Sequence, residues 1–221
     1  GYITSQFYTV AAPEDTSSGL IIGGTQDNGT PFFNLDDMDV QSGTTADASS
    51  GDGSYAAFSE EDSLMFVSSQ LGRVIRYDLG ASSTYSFAAF VNPSEATNEL
   101  FIHPYVVDGT NMYYPDVSSS GQPRMWVNTT VDEVSNQNGN GTTQGWTDIE
   151  LTDIPSGYLI STLEISKNPQ DILYYGASSS GGAPKIYKAE QASSAFTVSD
   201  ISIAGATSGA YVHDIAVNPI N

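Results

Sequence analysis

Short apolar runs alternate with clusters of Gly, Ser, Asn, Asp and Pro along the whole chain. That order predicts strands joined by turns. One stretch, LEISKNPQDILYYGASSSGGAPKIYKAE (Leu163 to Glu190), reads as strand, Asn-Pro turn, strand, Ser/Gly loop, strand. The same order returns in YAAFSEEDSLMFVSSQLGRVIRYDL (Tyr55 to Leu79) and in FYTVAAPEDTSSGLIIGGTQDNGTPFF (Phe7 to Phe33). LFIHPYVVDGTNMYYPDVSSSGQPRMWV (Leu100 to Val127) is a looser copy, and HDIAVNPIN (His213 to Asn221) opens a fifth. Fourth strands fit at Tyr85 to Phe90, Trp146 to Leu151 and Phe196 to Ile203. First strands begin near residues 7, 55, 100, 161 and 213, a spacing of 45 to 61 residues.

Four strands at that period form the blade of a β-propeller, and no 3.6-residue periodicity of convincing length competes with it. The fold class expected is all-β, with about four four-stranded blades. Their approximate bounds are 6–50, 54–92, 99–152 and 159–204, with the start of a next blade at 211–221. Because the last segment opens a new first strand, the expectation is a stretch of a larger propeller of six to eight blades. A closed four-bladed ring with an extra strand is the alternative.

Composition narrows the partners rather than the fold. Twenty-six acidic residues against 6 basic ones give a formal net charge of −20. Such a surface repels nucleic-acid phosphates and anionic lipid, so neither is an expected partner. It suits solubility in a salty or extracellular medium, or the binding of cations. The 39% apolar content, with 13 Tyr, is that of a globular domain. There is no cysteine, which excludes disulfides and thiol chemistry. No apolar run of about 18 residues is present, so no membrane-spanning helix is expected. The start at Gly1, without a signal-peptide pattern, is that expected of a mature or trimmed secreted chain.

The strand, Asn-Pro, strand, Gly-loop, strand unit resembles the repeats of BNR or sortilin-type propellers. Two strings sharpen the likeness. GGTQDNGT (Gly23 to Thr30) followed by SGDGSYAAF (Ser50 to Phe58) is similar to a pairing in large secreted propellers of Bacteroidetes-type bacteria, among them xyloglucanase-type relatives. The resemblance covers nearly the whole chain. It implies a propeller, a secreted or cell-surface bacterial location, and either glycan or peptide chemistry. The Asp-box turn of such families has its nearest counterpart in NQNGNGTTQGW (Asn136 to Trp146), which keeps the glycines and the Trp but has Asn where Asp is expected.

Propeller topology places the loops between second and third strands on one face with those between a fourth strand and the next first strand. Asp27 and Asp52 are thereby expected on neighbouring loops of one rim, with Gln26, Asn28 and the loops around Asp116 and Ser178 to Gly182. Two such carboxylates are the candidate acid and base of a glycoside hydrolase, at about 5.5 Å for retention or roughly 6.5–9.5 Å for inversion. Both also suit turns: Asp27 in QDNG, Asp52 as an acceptor for loop amides. Tyr114, Trp126 and Tyr175 flank rim loops and are candidate ligand platforms, although strand alternation turns one of each Tyr pair toward the neighbouring blade, so that most of these aromatics are expected in the inter-blade core and one or two at a ligand. Asp36, Asp37 and Asp39 form an oxygen-rich cluster that calcium would suit, or a solvated acidic loop; no other cofactor is implied. His103 and His213 fall in different repeats and read as buried, hydrogen-bonded structural residues. No G-x-S-x-G elbow, P-loop or dinucleotide fingerprint occurs.

The leading expectation is a non-catalytic secreted or cell-surface module that binds carbohydrate or protein, or acts as a scaffold beside neighbouring blades or domains. A glycoside hydrolase of xyloglucanase type and a sortilin-like peptide-binding propeller are the alternatives.

Overall fold

A computed structural model describes residues 5–13, 19–34, 46–59, 63–80, 85–167, 172–192 and 195–218. The sixteen strands among them form four antiparallel sheets of four, each in chain order. The first blade comprises β1 (Phe7–Ala11), β2 (Leu20–Thr25), β3 (Pro31–Asn34) and β4 (Ala46–Asp47). The second comprises β5 (Gly53–Ser59), β6 (Leu64–Ser69), β7 (Arg73–Leu79) and β8 (Tyr85–Phe90). The third has β9 (Val106–Asp108), β10 (Asn111–Val117), β11 (Pro123–Asn128) and β12 (Trp146–Glu150). The fourth has β13 (Leu159–Ser166), β14 (Ile172–Ser178), β15 (Lys185–Ala192) and β16 (Ala195–Asp200). First strands neighbour one another in sequence, β1 against β5, β5 against β9 and β9 against β13, so they line the inside and the fourth strands lie outside. This is a propeller arrangement of four blades.

The core consists of three sandwiches between blades, and strand alternation decides which side chain enters which. In β6, Met65 and Val67 pack with Leu20, Ile22 and Phe32 of the first blade. Their neighbours Leu64 and Phe66 point the other way, to Met112, Tyr114 and Trp126 of the third. In β10 and β11, Tyr113, Met125 and Val127 meet Leu163, Leu173 and Tyr175 of the fourth. A middle blade therefore buries both faces of its central strands, which is why LMFV and MYY read as continuous apolar runs.

Three first strands carry a β-bulge near their start, between Phe7 and Thr9, between Gly53 and Ala56, and between Ile160 and Thr162. A bulge increases local twist, which suits strands crowded at the inner edge of the arc. Side-chain hydroxyls join successive blades at their inner edge by donating to main-chain carbonyls. Thr9 Oγ1 donates to the Ser54 carbonyl at 2.7 Å, and the Tyr105 hydroxyl donates to the Tyr55 carbonyl at 3.2 Å. Ser161 Oγ donates to the Val212 carbonyl at 2.6 Å, so residues 211–214 lie beside β13 as β5 lies beside β1.

The third first strand begins at Val106 rather than near Leu100. The preceding residues form a connection instead, in which His103 Nδ1 accepts from the Leu100 N–H at 3.0 Å and Pro104 has no N–H to offer a ladder. The NQNGNGTTQGW stretch folds on Asn136, whose Oδ1 accepts from the Asn138 N–H at 3.0 Å and whose Nδ2 donates to the Asn138 and Gly141 carbonyls at 2.8 and 2.7 Å. It lies along the outer edge of β8: Phe90 N–H donates to the Asn136 carbonyl at 2.9 Å, and Gln137 Nε2 donates to Ala88 at 2.6 Å. His103 is buried, whereas His213 is exposed, in contrast to the expectation for it. Among the described residues no helix is long and apolar enough to cross a membrane.

Candidate functional site

The rim is built where the first blade meets the second. The GGT segment closes β2, and the chain then turns through Gln26–Asn28, with Asp27 at φ +60°. Thr25 draws the turn shut: its N–H and its hydroxyl both donate to the Gly29 carbonyl, each at 2.9 Å. The loop before β5 crosses directly over this turn. Gly29 N–H donates to the Gly51 carbonyl at 2.7 Å, and Thr30 Oγ1 lies 2.7 Å from Ser49 Oγ. Two backbones this close leave no room for side chains. A Cβ on Gly24 would stand 1.9 Å from the Ser54 oxygen, and one on Gly53 would stand 2.1 Å from the Gly29 oxygen. The glycines of GGTQDNG and GDG are thus two halves of one inter-blade crossing.

Asp27 and Asp52 do meet. Asp27 N–H donates to Asp52 Oδ1 at 3.0 Å, while Asp52 N–H is bonded to Gln70 Oε1 at 3.0 Å. The Asp52 carboxylate therefore ties one loop to the next. Asn28 Nδ2 caps the Gln26 carbonyl at 2.9 Å, and the Gln26 N–H donates to Gln6 at 2.9 Å; the side chains of Gln26, Asp27 and Asn28 are exposed. Tyr8 joins them: partial burial, then the charges of Asp52 and Asp27, raise its phenol above the ordinary value.

The other candidates lie inside the sandwiches. Asp116 is 3% exposed and accepts a bidentate ion pair from Arg124, Nε at 2.9 Å and Nη2 at 2.5 Å, plus the Thr97 N–H at 2.8 Å. The two residues are directly opposed across β10 and β11. That hydrogen-bonded pairing raises the arginine's pKa further. Trp126 lies beneath the same guanidinium, 4.9 Å from ring centre to Cζ, and is buried. Tyr114 is buried with its hydroxyl donating to the Gly72 carbonyl at 2.9 Å, and burial raises its pKa. Tyr175 is fully buried and stacked on Tyr187 at 5.4 Å, and burial raises its pKa too. Strand parity sends these aromatics to neighbouring blades, not to the rim. Asp36, Asp37 and Asp39 lie outside the described residues. Among the described residues no group of three or more His, Cys, Asp or Glu side chains converges as a metal site would require.

Beside the loop crossing opens a cleft of about 700 Å³ between the first two blades. Its walls include Asp27, Asn28, Asp47, Ser49 and Ser50 on one side, and Arg73, Tyr77, Phe87 and Phe90 on the other. The Tyr77 hydroxyl donates to the Ala48 carbonyl and bridges the two blades. The volume falls within the range of small-ligand sites. Arg73, Tyr77 and Phe87 escaped the sequence reading. The signal was there, because Arg73 follows the Leu71–Gly72 turn between second and third strands, the same kind of rim loop that holds Asp27.

Comparison with solved structures agrees with this architecture. A chain in the crystal structure of the Mitotic Checkpoint Complex matches with a TM-score of 0.53 at 11% identity, over 85% of this chain and 50% of that one. The likeness is one of fold. The β-propeller domain of Cps50 (Swd1) from Myceliophteria thermophila has a TM-score of 0.48 at 12% identity, covering 84% and 52%. This chain spans about half the length of each. No family model and no curated protein matches it.

Proposed function

We propose that the chain is a non-catalytic binding module, part of a larger propeller of a secreted or cell-surface bacterial protein of BNR or sortilin type. Its partner seats on the rim, in the cleft between the first and second blades. One observation carries the reading: the Asp27 N–H donates to the Asp52 carboxylate at 3.0 Å. The pair best placed to act as acid and base on a glycan has one member serving as a loop tie. The cleft alongside offers aromatic walls and polar fringes, and the carboxylates on its lining, Asp27 and Asp47, are exposed rather than covered, which suits recognition rather than bond cleavage.

Reducing-sugar release from a panel of plant and marine polysaccharides tests the reading. Folded protein is expected to release none. Release that disappears in Asp27→Asn or Asp52→Asn would replace the binding module with a glycoside hydrolase working at this rim.

A further inference from the structure

The cations of the chain are few, and their partners single one out. Arg76 has Asp78 at 3.4 Å, Arg124 has Asp116 and Asp148, Lys167 acts on the Glu164 carboxyl, Lys185 has Asp200 at 3.1 Å, and Lys188 has Glu190 at 2.7 Å. Arg73 is exposed, lines the cleft, and has no carboxylate partner among the described residues, in a chain with 26 acidic residues. It is nonetheless held in place. Its guanidinium lies 4.4 Å over the Phe90 ring, and the backbone of Gly139 covers another side, where a Cβ would come within 2.7 Å of Nη2. The 136–142 connection that delivers Gly139 is fastened to the second blade by the Phe90–Asn136 pairing and by Thr142 N–H donating to Asn92 at 2.9 Å. A fork fixed in this way loses little side-chain freedom when it takes a ligand.

Two anions in the same cleft are equally unspent. The carboxylates of Asp27 and Asp47 accept no hydrogen bond or ion pair among the described residues, and both are exposed. One ordered cation, two available carboxylates and an aromatic wall fit a ligand that carries both signs of charge.

We infer that the cleft captures the carboxy-terminus of a polypeptide whose last residue is lysine or arginine. The terminal carboxylate pairs with Arg73, the basic side chain with Asp27 and Asp47, and the aliphatic stem lies on Phe87, which is 42% exposed. A chain end of this kind offers both charges within one residue, which sugar hydroxyls do not. A net charge of −20 steers a basic polypeptide toward the rim and an acidic glycan away from it. A peptide lying as an added strand has little to join here, since β4 has two residues and the β8 edge is taken by Asn136. The assignment rests on the binding-module reading and names its ligand.

The test is fluorescence anisotropy with the whole chain. The probes are fluorescein-labelled peptide pools of mixed upstream sequence ending in Lys with a free carboxylate, Lys carboxamide, or Leu with a free carboxylate. Amidation is expected to weaken binding about tenfold or more, the scale of one charge-assisted hydrogen-bonded pair. Arg73→Gln should weaken the free acid equally and erase the acid–amide difference, and Arg73→Lys should restore part of it. Asp27→Asn with Asp47→Asn should erase the preference for Lys over Leu. An unchanged melting temperature establishes that the variants are folded. Equal affinity for acid and amide, or indifference to Arg73→Gln, overturns the inference. Arg73-dependent binding of a uronate oligosaccharide in place of the peptides also overturns it, yet leaves a binding module standing. Polysaccharide cleavage with no binding of any probe overturns both.

Discussion

Charged side chains in this protein divide by depth. Arg124 and Asp116 are opposed across two central strands and satisfy each other, whereas Asp27 on its rim loop and Arg73 at the start of β7 keep their charges available. His103 belongs to the first group. It is 2% exposed, packed against the Tyr114 ring at 4.4 Å with the planes tilted by 41°, and burial pushes its imidazole down to about 3 from 6.5. The folded state therefore holds it neutral, while the unfolded chain takes up a proton below 6.5. Stability from this residue is complete above that value and is lost as the pH falls toward 3, at about 1.4 kcal/mol per pH unit. Urea denaturation at pH about 7.5 and about 4.5 should show His103→Gln losing about 2–3 kcal/mol less on acidification than the parent. Equal losses would mean that the ring is protonated within the fold. At this scale the sequence placed Asp27 and Asp52 side by side, because turn chemistry and rim topology are local. For Tyr114, Trp126 and Tyr175 alternation left both the rim and the inter-blade core open, and the structure puts all three in the core, because whether an aromatic at a strand end faces ligand or neighbour depends on the next blade.

At the scale of elements, the glycine strings form a joint between two blades. Gly24→Ala puts a methyl group against the Ser54 carbonyl, a main-chain atom that cannot swing aside. A loss of about 1–3 kcal/mol is expected, read as a melting temperature lowered by several degrees. Gly181→Ala, with open space around its Cβ, should change stability by about 0.5 kcal/mol or less. Equal effects at the two positions would show that the crossing is looser than drawn. The fourth strand of the first blade, Ala46–Asp47, left no periodic signal, since two residues are too few to alternate. The clasp of Asn136 and Gln137 on β8 was equally hidden, because its partners are main-chain groups nearly fifty residues away that no local pattern marks.

For the whole molecule, acidity opposes compactness. With a net charge of −20, folding brings like charges together, and salt should relieve the strain. Raising NaCl from about 0.01 M, where charges act over about 30 Å, to about 0.15 M, where they act over about 8 Å, should raise the melting temperature by about 3 °C, the equivalent of about 1 kcal/mol. A midpoint that falls with salt would mean that the ion pairs of Arg124, Lys185 and Lys188 outweigh the repulsion. Exposed apolar residues are spread along the molecule: Phe7 and Val10 on the first blade, Leu71 and Phe87 on the second, Phe101 before the third, and Ile201, Ile203 and Tyr211 beyond the fourth. Joints such as Ser161 to Val212 repeat at the far end the geometry found between the first and second blades.

The sequence by itself determined the blade: strand order, repeat spacing, turn residues and the alternation that gives each strand two faces. Those properties depend on neighbours along the chain, and four sheets in chain order follow from them. Only the tertiary structure decided which face meets which blade, that the Asp52 carboxylate is spent on the Asp27 N–H, and that Arg73 is left without a carboxylate partner among the described residues. Each of these depends on atoms far apart in sequence and brought together by packing, and a charge's availability is set by what the fold places beside it.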